Sequence, residues 1–133
     1  MASGSDGTWI VSCKGVVLAD GQVLLAANDR GEWELPGGRL EAGETPAGCV
    51  AREVAEETGL AVEVTDLIDT WVYEPLPGRE VLIVTYGCVP FDSVPSVIRS
   101  DEHLAVEFLA IDELDRLTIP EGYRASIRSW AKR

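Results

Sequence analysis

Residues Gly38 to Leu60 read GRLEAGETPAGCVAREVAEETGL, and the rest of the chain is organised around them. The stretch predicts a glycine-rich loop leading into a short helix. Thr45 is a good N-cap, Pro46 suits the first helical position, and Gly59 suits the residue just past the C-terminus. Ala47, Val50, Ala51 and Val54 form an apolar stripe that predicts docking on a sheet. Glu53, Glu56 and Glu57 recur at offsets of three and four, which predicts a shared acidic, outward face. Like charges so close repel unless a cation or an arginine offsets them. Arg52 lies four residues before Glu56, a spacing that permits a salt bridge. Mg²⁺ or Mn²⁺, hard ions that take oxygen ligands, suit such a carboxylate set.

The same stretch resembles the signature of the Nudix hydrolases, G-x5-E-x7-R-E-U-x-E-E-x-G-U with U aliphatic. Gly38, Glu44, Arg52, Glu53, Val54, Glu56, Glu57, Gly59 and Leu60 fill the specified positions. Average residue usage would produce the fixed positions by chance on the order of 10⁻⁸ per window. The preceding WELPGG, Trp33 to Gly38, is similar to the family as well. The resemblance implies metal-assisted hydrolysis of a diphosphate linkage in a nucleoside diphosphate derivative, either a nucleoside triphosphate or a nucleotide sugar. It also implies an α/β/α sandwich with a mixed β-sheet. Length and composition predict one domain over residues 1–133, and MASGSDG, residues 1–7, reads as a flexible lead. By the resemblance, Glu53, Glu56 and Glu57 are the expected metal ligands. Glu44 and the Gly38 carbonyl are further ligands, and Arg52 is an orienting residue. Glu102 is the candidate for the general base or an additional ligand, with Asp101 and His103 behind it. Trp33 and Tyr73 are candidates for stacking on the substrate.

Outward from the box, Trp9 to Ala19 reads as a strand, Asp20-Gly21 as a hairpin turn, and Gln22 to Ala27 as the returning strand. Glu32 to Leu35 reads as a short strand, and Pro36, Gly37 and Gly38 as a break in regular structure. Downstream, Ala61 to Glu74 reads as extended, Pro75 to Gly78 as a hairpin loop and Glu80 to Val89 as a buried strand. Phe91 to His103 is irregular, Leu104 to Leu109 a last strand, and Asp112 to Leu117 a short helical turn. Pro120 to Lys132 predicts a helix with Tyr123, Ile127 and Trp130 on one face. Trp9, Trp71 and Trp130 are assigned to the core.

The 133 residues carry 11 basic and 23 acidic side chains, a formal net charge of −12. That balance opposes a sequence-independent grip on DNA or RNA, and with it a decapping role on a polymer. A divalent metal can still carry a small nucleotide into an acidic site. Cys13, Cys49 and Cys88 are widely spaced, odd in number and set in apolar stretches, so they read as buried free thiols. No apolar run reaches the length of a membrane span, and a cytoplasmic location is expected. The apolar strands are compatible with a homodimer. The competing functional class is a catalytically silent nucleotide-binding or regulatory module; the intact carboxylate set opposes it.

Overall fold

A computed structural model describes residues 7–92, 97, 98, 103 and 105–133. Among the described residues, seven strands form one mixed sheet, with a helix on each face. Strand β1 (Ile10–Ala19) is central. It runs parallel to β6 (Arg79–Pro90) along one side, and β6 pairs antiparallel with the long edge strand β5 (Val62–Leu76). Along its other side β1 changes partner. Ser12–Lys14 pairs with β4 (Gly37–Arg39), whereas Leu18 and Ala19 pair with β2 (Gln22–Ala27). Strand β2 also pairs with β3 (Trp33–Glu34) and β7 (Ala105–Ala110). The chain therefore crosses between the two branches at Leu35–Pro36, and the candidate site lies at this split.

The two-residue period of β1 and β2 divides the core. Cys13, Val17, Leu24 and Ala26 face helix α1 (Pro46–Thr58), where Cys49, Val50 and Val54 are fully buried. Val16, Val23 and Leu25 face helix α2 (Glu121–Ala131), packing with Tyr123 and Ile127. Each buried Val or Ile side chain contributes roughly 1.5–3 kcal/mol of apolar transfer. This is the predicted sandwich. A 3-10 turn (Ile111–Arg116) joins β7 to the segment before α2. Among the described residues, no helix is long and apolar enough to cross a membrane.

Helix α1 has the boundaries its sequence predicts. Thr45 Oγ1 accepts the Gly48 N–H at 3.0 Å, and Gly59 closes the helix in a left-handed conformation, φ 74°. The three cysteines are free and buried.

Other expectations need correction. Gly37 and Gly38 do not break the sheet, because both enter it as β4 opposite Lys14 and Cys13. Their weak strand propensity is overridden by pairing with a buried neighbour. Pro75 and Leu76 belong to β5, and the turn of the hairpin is confined to Pro77 and Gly78. Trp9 is 45% exposed and lies outside the core, whereas Trp71 and Trp130 pack against α2's cluster. On α1 the inward stripe includes Cys49, while Ala47 and Ala51 are only half-buried.

Candidate active site

The acidic residues of α1 do not share one solvated face. Glu56 is exposed, but Glu53 leans onto the Gly37–Gly38 segment and Glu57 is buried beneath it. The Gly37 N–H donates to Glu57 Oε1 at 3.2 Å. The Glu53 carboxylate occupies the space that a side chain on Gly38 would need, since a Cβ there would lie 2.4 Å from Oε2. Burial, followed by contact with the Glu53 carboxyl, pushes Glu57 up to about 8.

Arg52 gathers the remaining carboxylates. Its Nε and Nη2 donate to the two oxygens of Glu44 at 2.6 and 2.9 Å. Its Nη1 donates to Glu53 at 2.7 Å and to Glu56 at 3.0 Å. The predicted Arg52–Glu56 bridge is present, but the two-pronged grip on Glu44 is the stronger geometry. That grip holds the Glu44 carboxyl down at about 2. Glu44 also accepts the Glu41 N–H at 3.0 Å, which fixes the loop ahead of α1.

A cleft of about 430 Å³ opens over Gly37, Gly38, Glu53 and Glu57. Its opposite wall comes from Asn28, Arg30, Glu34 and His103. Asn28 uses both ends of its amide. Its oxygen accepts the N–H groups of Arg30 and Glu32, and its nitrogen donates to Glu34 at 3.0 Å. His103 Nε2 lies 3.1 Å from the other Glu34 oxygen. Burial would raise Glu34, but the His103 hydrogen bond, the Lys14 charge and the Asn28 amide overcome it and bring the carboxyl to about 2. The Glu34 contact in turn raises His103.

Beneath both walls lies Lys14, opposite Gly37 in the β1–β4 pairing and only 6% exposed. Burial acts to discharge this ammonium, but the Tyr123 ring and the Glu34, Glu57 and Glu53 carboxylates outweigh it and keep Lys14 charged.

The structure thus brings Gly38, Glu53 and Glu57 together at the cleft and joins Glu44 and Glu56 to them through Arg52. Glu102 and Asp101 lie outside the described residues. Trp33 and Tyr73 do not line this cleft. Trp33 packs against the α2-side core, and Tyr73 stacks near Trp71 and Tyr123, with ring centroids 5.3 and 5.8 Å away. Sequence reasoning did not single out Lys14, Asn28, Arg30 or Glu34. Two signals were available: Lys14 is a cation in the middle of an apolar strand, and Glu34 lies within the WELPGG stretch.

Among the described residues, no group of three or more His, Cys, Asp or Glu side chains stands arranged to hold a metal ion. The donor set nevertheless fits a hard divalent cation. Glu53 and Glu57 offer carboxylate oxygens, and glycine at position 38 leaves room for one of them directly against the backbone.

A family model described as the NUDIX domain matches residues 10–130. A MutT-like protein of Streptomyces ambofaciens is 45% identical over 106 residues, 78% of this chain and 66% of that protein. An RNA pyrophosphohydrolase of Erythrobacter litoralis is 35% identical over 145 aligned positions, covering 89% of this chain and 88% of that protein. The crystal structure of a MutT protein from Methanosarcina mazei Go1 superposes with a TM-score of 0.79 at 26% identity, covering 93% and 94% of the two chains. The chain thus spans just under two thirds of the Streptomyces relative's length.

Proposed function

This chain belongs to the NUDIX domain family, and on that premise we propose that it hydrolyses a diphosphate linkage in a small nucleoside diphosphate derivative, using Mg²⁺ or Mn²⁺. A nucleoside triphosphate is the preferred class, as the kinship with MutT-like proteins supports. The observation that carries the reading is the placement of Glu53 and Glu57 against Gly37 and Gly38 at the cleft. In the proposal the whole chain acts as one domain.

Glu53 and Glu57, with Glu56, Glu44 and the Gly38 carbonyl, would hold the cation. Bound there, a divalent ion supplies charge neutralisation at phosphate oxygens and activation of water. Arg52 orients the carboxylates that it grips and offsets their mutual repulsion. Arg30 and His103, on the opposite wall, bring donors toward an anionic substrate. Glu102 is assigned the proton from the attacking water, as general base. The net charge of −12 favours a short nucleotide over a long polyanion.

The test is a panel of nucleoside triphosphates, nucleotide sugars and dinucleotides assayed with Mg²⁺ and Mn²⁺, with products identified. Release of pyrophosphate from a triphosphate is the expected result. No turnover of any member would instead favour a silent nucleotide-binding module.

A further inference from the structure

The two arginines nearest the cleft's carboxylates are held in different ways. Arg52 spends its fork on Glu44, at 2.6 and 2.9 Å. Arg30 lines the cleft from the opposite wall and meets Glu32 at 3.4 Å and Glu34 at 3.7 Å. Charge-assisted hydrogen bonds of this kind lie at about 2.7–2.9 Å. Arg30 therefore keeps hydrogen-bonding capacity for a bound anion, and these loose contacts do not fix where it stands.

Its place is set through the backbone. Arg30 lies in the turn that joins β2 to β3, residues 28–32, and Ala27 and Trp33 close that hairpin as a register pair. Asn28 closes the turn three times over. Its N–H donates to the Glu32 carbonyl at 2.9 Å, and its Oδ1 accepts the N–H groups of Arg30 and Glu32 at 2.9 and 3.1 Å. Its Nδ2 then donates to Glu34 Oε1 at 3.0 Å, which ties the turn to β3. Asn28 is only 7% exposed, so these bonds are made away from bulk water.

The residue type follows from the two jobs. A side-chain amide accepts through its oxygen and donates through its nitrogen. Aspartate could keep the turn but would repel Glu34. Lysine or arginine could meet Glu34 but would leave the two N–H groups without an acceptor.

We propose that Asn28 is a positioning residue for the hydrolysis: by closing this turn it presents the Arg30 guanidinium to the phosphates of the substrate. The inference rests on reading the cleft as the diphosphate site. Asn28 carries no charge, so its replacement by another neutral residue leaves the charges of the cleft in place. A change in substrate binding then reports the placement of Arg30.

Steady-state kinetics on the best nucleotide of the panel test this. Asn28→Ala should raise KM at least about tenfold, the scale of one hydrogen bond to a charged group, and leave kcat within about threefold. Arg30→Ala should do the same. In the Arg30→Ala background, Asn28→Ala should add no more than about twofold, because the group it places is gone. Asn28→Ser, whose hydroxyl can still accept the Arg30 N–H, should recover part of the loss. A residue that merely supported the fold would lower the active fraction, and kcat with it, without this split. A parent-like KM in Asn28→Ala overturns the proposal, as does a loss confined to kcat or an effect that multiplies in the double variant. Should Asn28→Ala fail to fold, Asn28→Ser carries the test: its KM must exceed the parent's by more than about twofold, and a parent-like value overturns the proposal. Where nucleotides are hydrolysed and KM does not respond, the assignment of Asn28 falls and the hydrolase reading stands. Where no nucleotide is hydrolysed, the same variants are titrated calorimetrically with inorganic pyrophosphate and Mg²⁺. The same pattern in Kd would then leave Asn28 as a positioning residue for anion binding while the hydrolase reading falls, and its absence would overturn both.

Discussion

Arg52 and Glu44 form a two-pronged ion pair, with Nε–Oε2 at 2.6 Å and Nη2–Oε1 at 2.9 Å. Eight residues separate them, so the pair ties the loop before α1 to the helix that bears the cleft's carboxylates. The remaining Nη1 reaches Glu53 and Glu56. One guanidinium therefore sets the relative positions of three carboxylates.

Arg52→Lys keeps the charge and removes the fork. A lysine ammonium cannot hold Glu44 with two parallel bonds while also meeting Glu53 and Glu56. kcat/KM on the best nucleotide of the panel should fall on the order of 10²-fold, the scale of misplaced reacting groups. The melting temperature should move by no more than about 3 °C, because partly exposed ion pairs contribute little to stability. Parallel kinetics and thermal unfolding check this, and an unchanged kcat/KM would remove Arg52 from the machinery.

Gly37 and Gly38 should fail differently when given a side chain. At Gly38 the added Cβ meets the Glu53 carboxylate, the end of a flexible side chain that can swing away. Gly38→Ala should therefore fold with a loss of about 1–2 kcal/mol and lose most of its turnover. At Gly37 the Cβ would lie 2.1 Å from the Cys13 carbonyl oxygen, with φ at 148°. Neither the backbone of β1 nor that dihedral can yield cheaply, so Gly37→Ala should cost about 3 kcal/mol or more. Urea denaturation of the two variants distinguishes them; equal losses would mean that Gly37 is no more constrained than Gly38.

The contrast between these glycines shows where sequence reasoning stops. Helix α1 was legible because its signals are local: a cap at Thr45, a proline at 46 and a stop at Gly59. Strand β4 was not, because Gly37 and Gly38 have no strand propensity of their own and are recruited by pairing with Lys14 and Cys13, more than twenty residues upstream. Helical spacing placed Glu53, Glu56 and Glu57 on one side of α1. It could not show that β4 covers Glu57 and leaves Glu56 exposed. The Glu34–His103 contact joins positions 69 residues apart, and no local pattern reports such a pair.

That pair predicts a stability window in pH. The folded-state pKa of Glu34 is depressed to about 2, so its contribution is present above its ordinary value of 4.5 and is lost as pH falls toward 2. His103 is raised above 6.5, so its contribution is complete below 6.5 and is lost as pH rises through the raised value. Both act together between about 4.5 and 6.5. Glu34→Gln should therefore be most destabilising in that window, by roughly 2–3 kcal/mol. The gap from the parent protein should narrow on either side. Urea midpoints measured from pH 3 to 9 test this, and a pH-independent gap would mean that Glu34 acts through packing instead of charge.

The cation can be tested without turnover. Glu57 carries its carboxyl into a buried position beside Glu53, an arrangement that a bound divalent ion would stabilise. An ion present at about one hundred times its Kd adds roughly 2.7 kcal/mol to folding. For a chain of this size that raises the melting temperature by about 5–10 °C. Millimolar Mg²⁺ or Mn²⁺ should produce such a rise, and EDTA should reverse it. Glu57→Gln retains an oxygen to accept the Gly37 N–H, so the variant should fold, yet its melting temperature should no longer respond to the ion. Glu113→Gln, which removes an exposed carboxylate on the 3-10 turn, is the control and should respond as the parent does. If both variants lose the response equally, the ion acts by screening surface charge and the cleft is not its site.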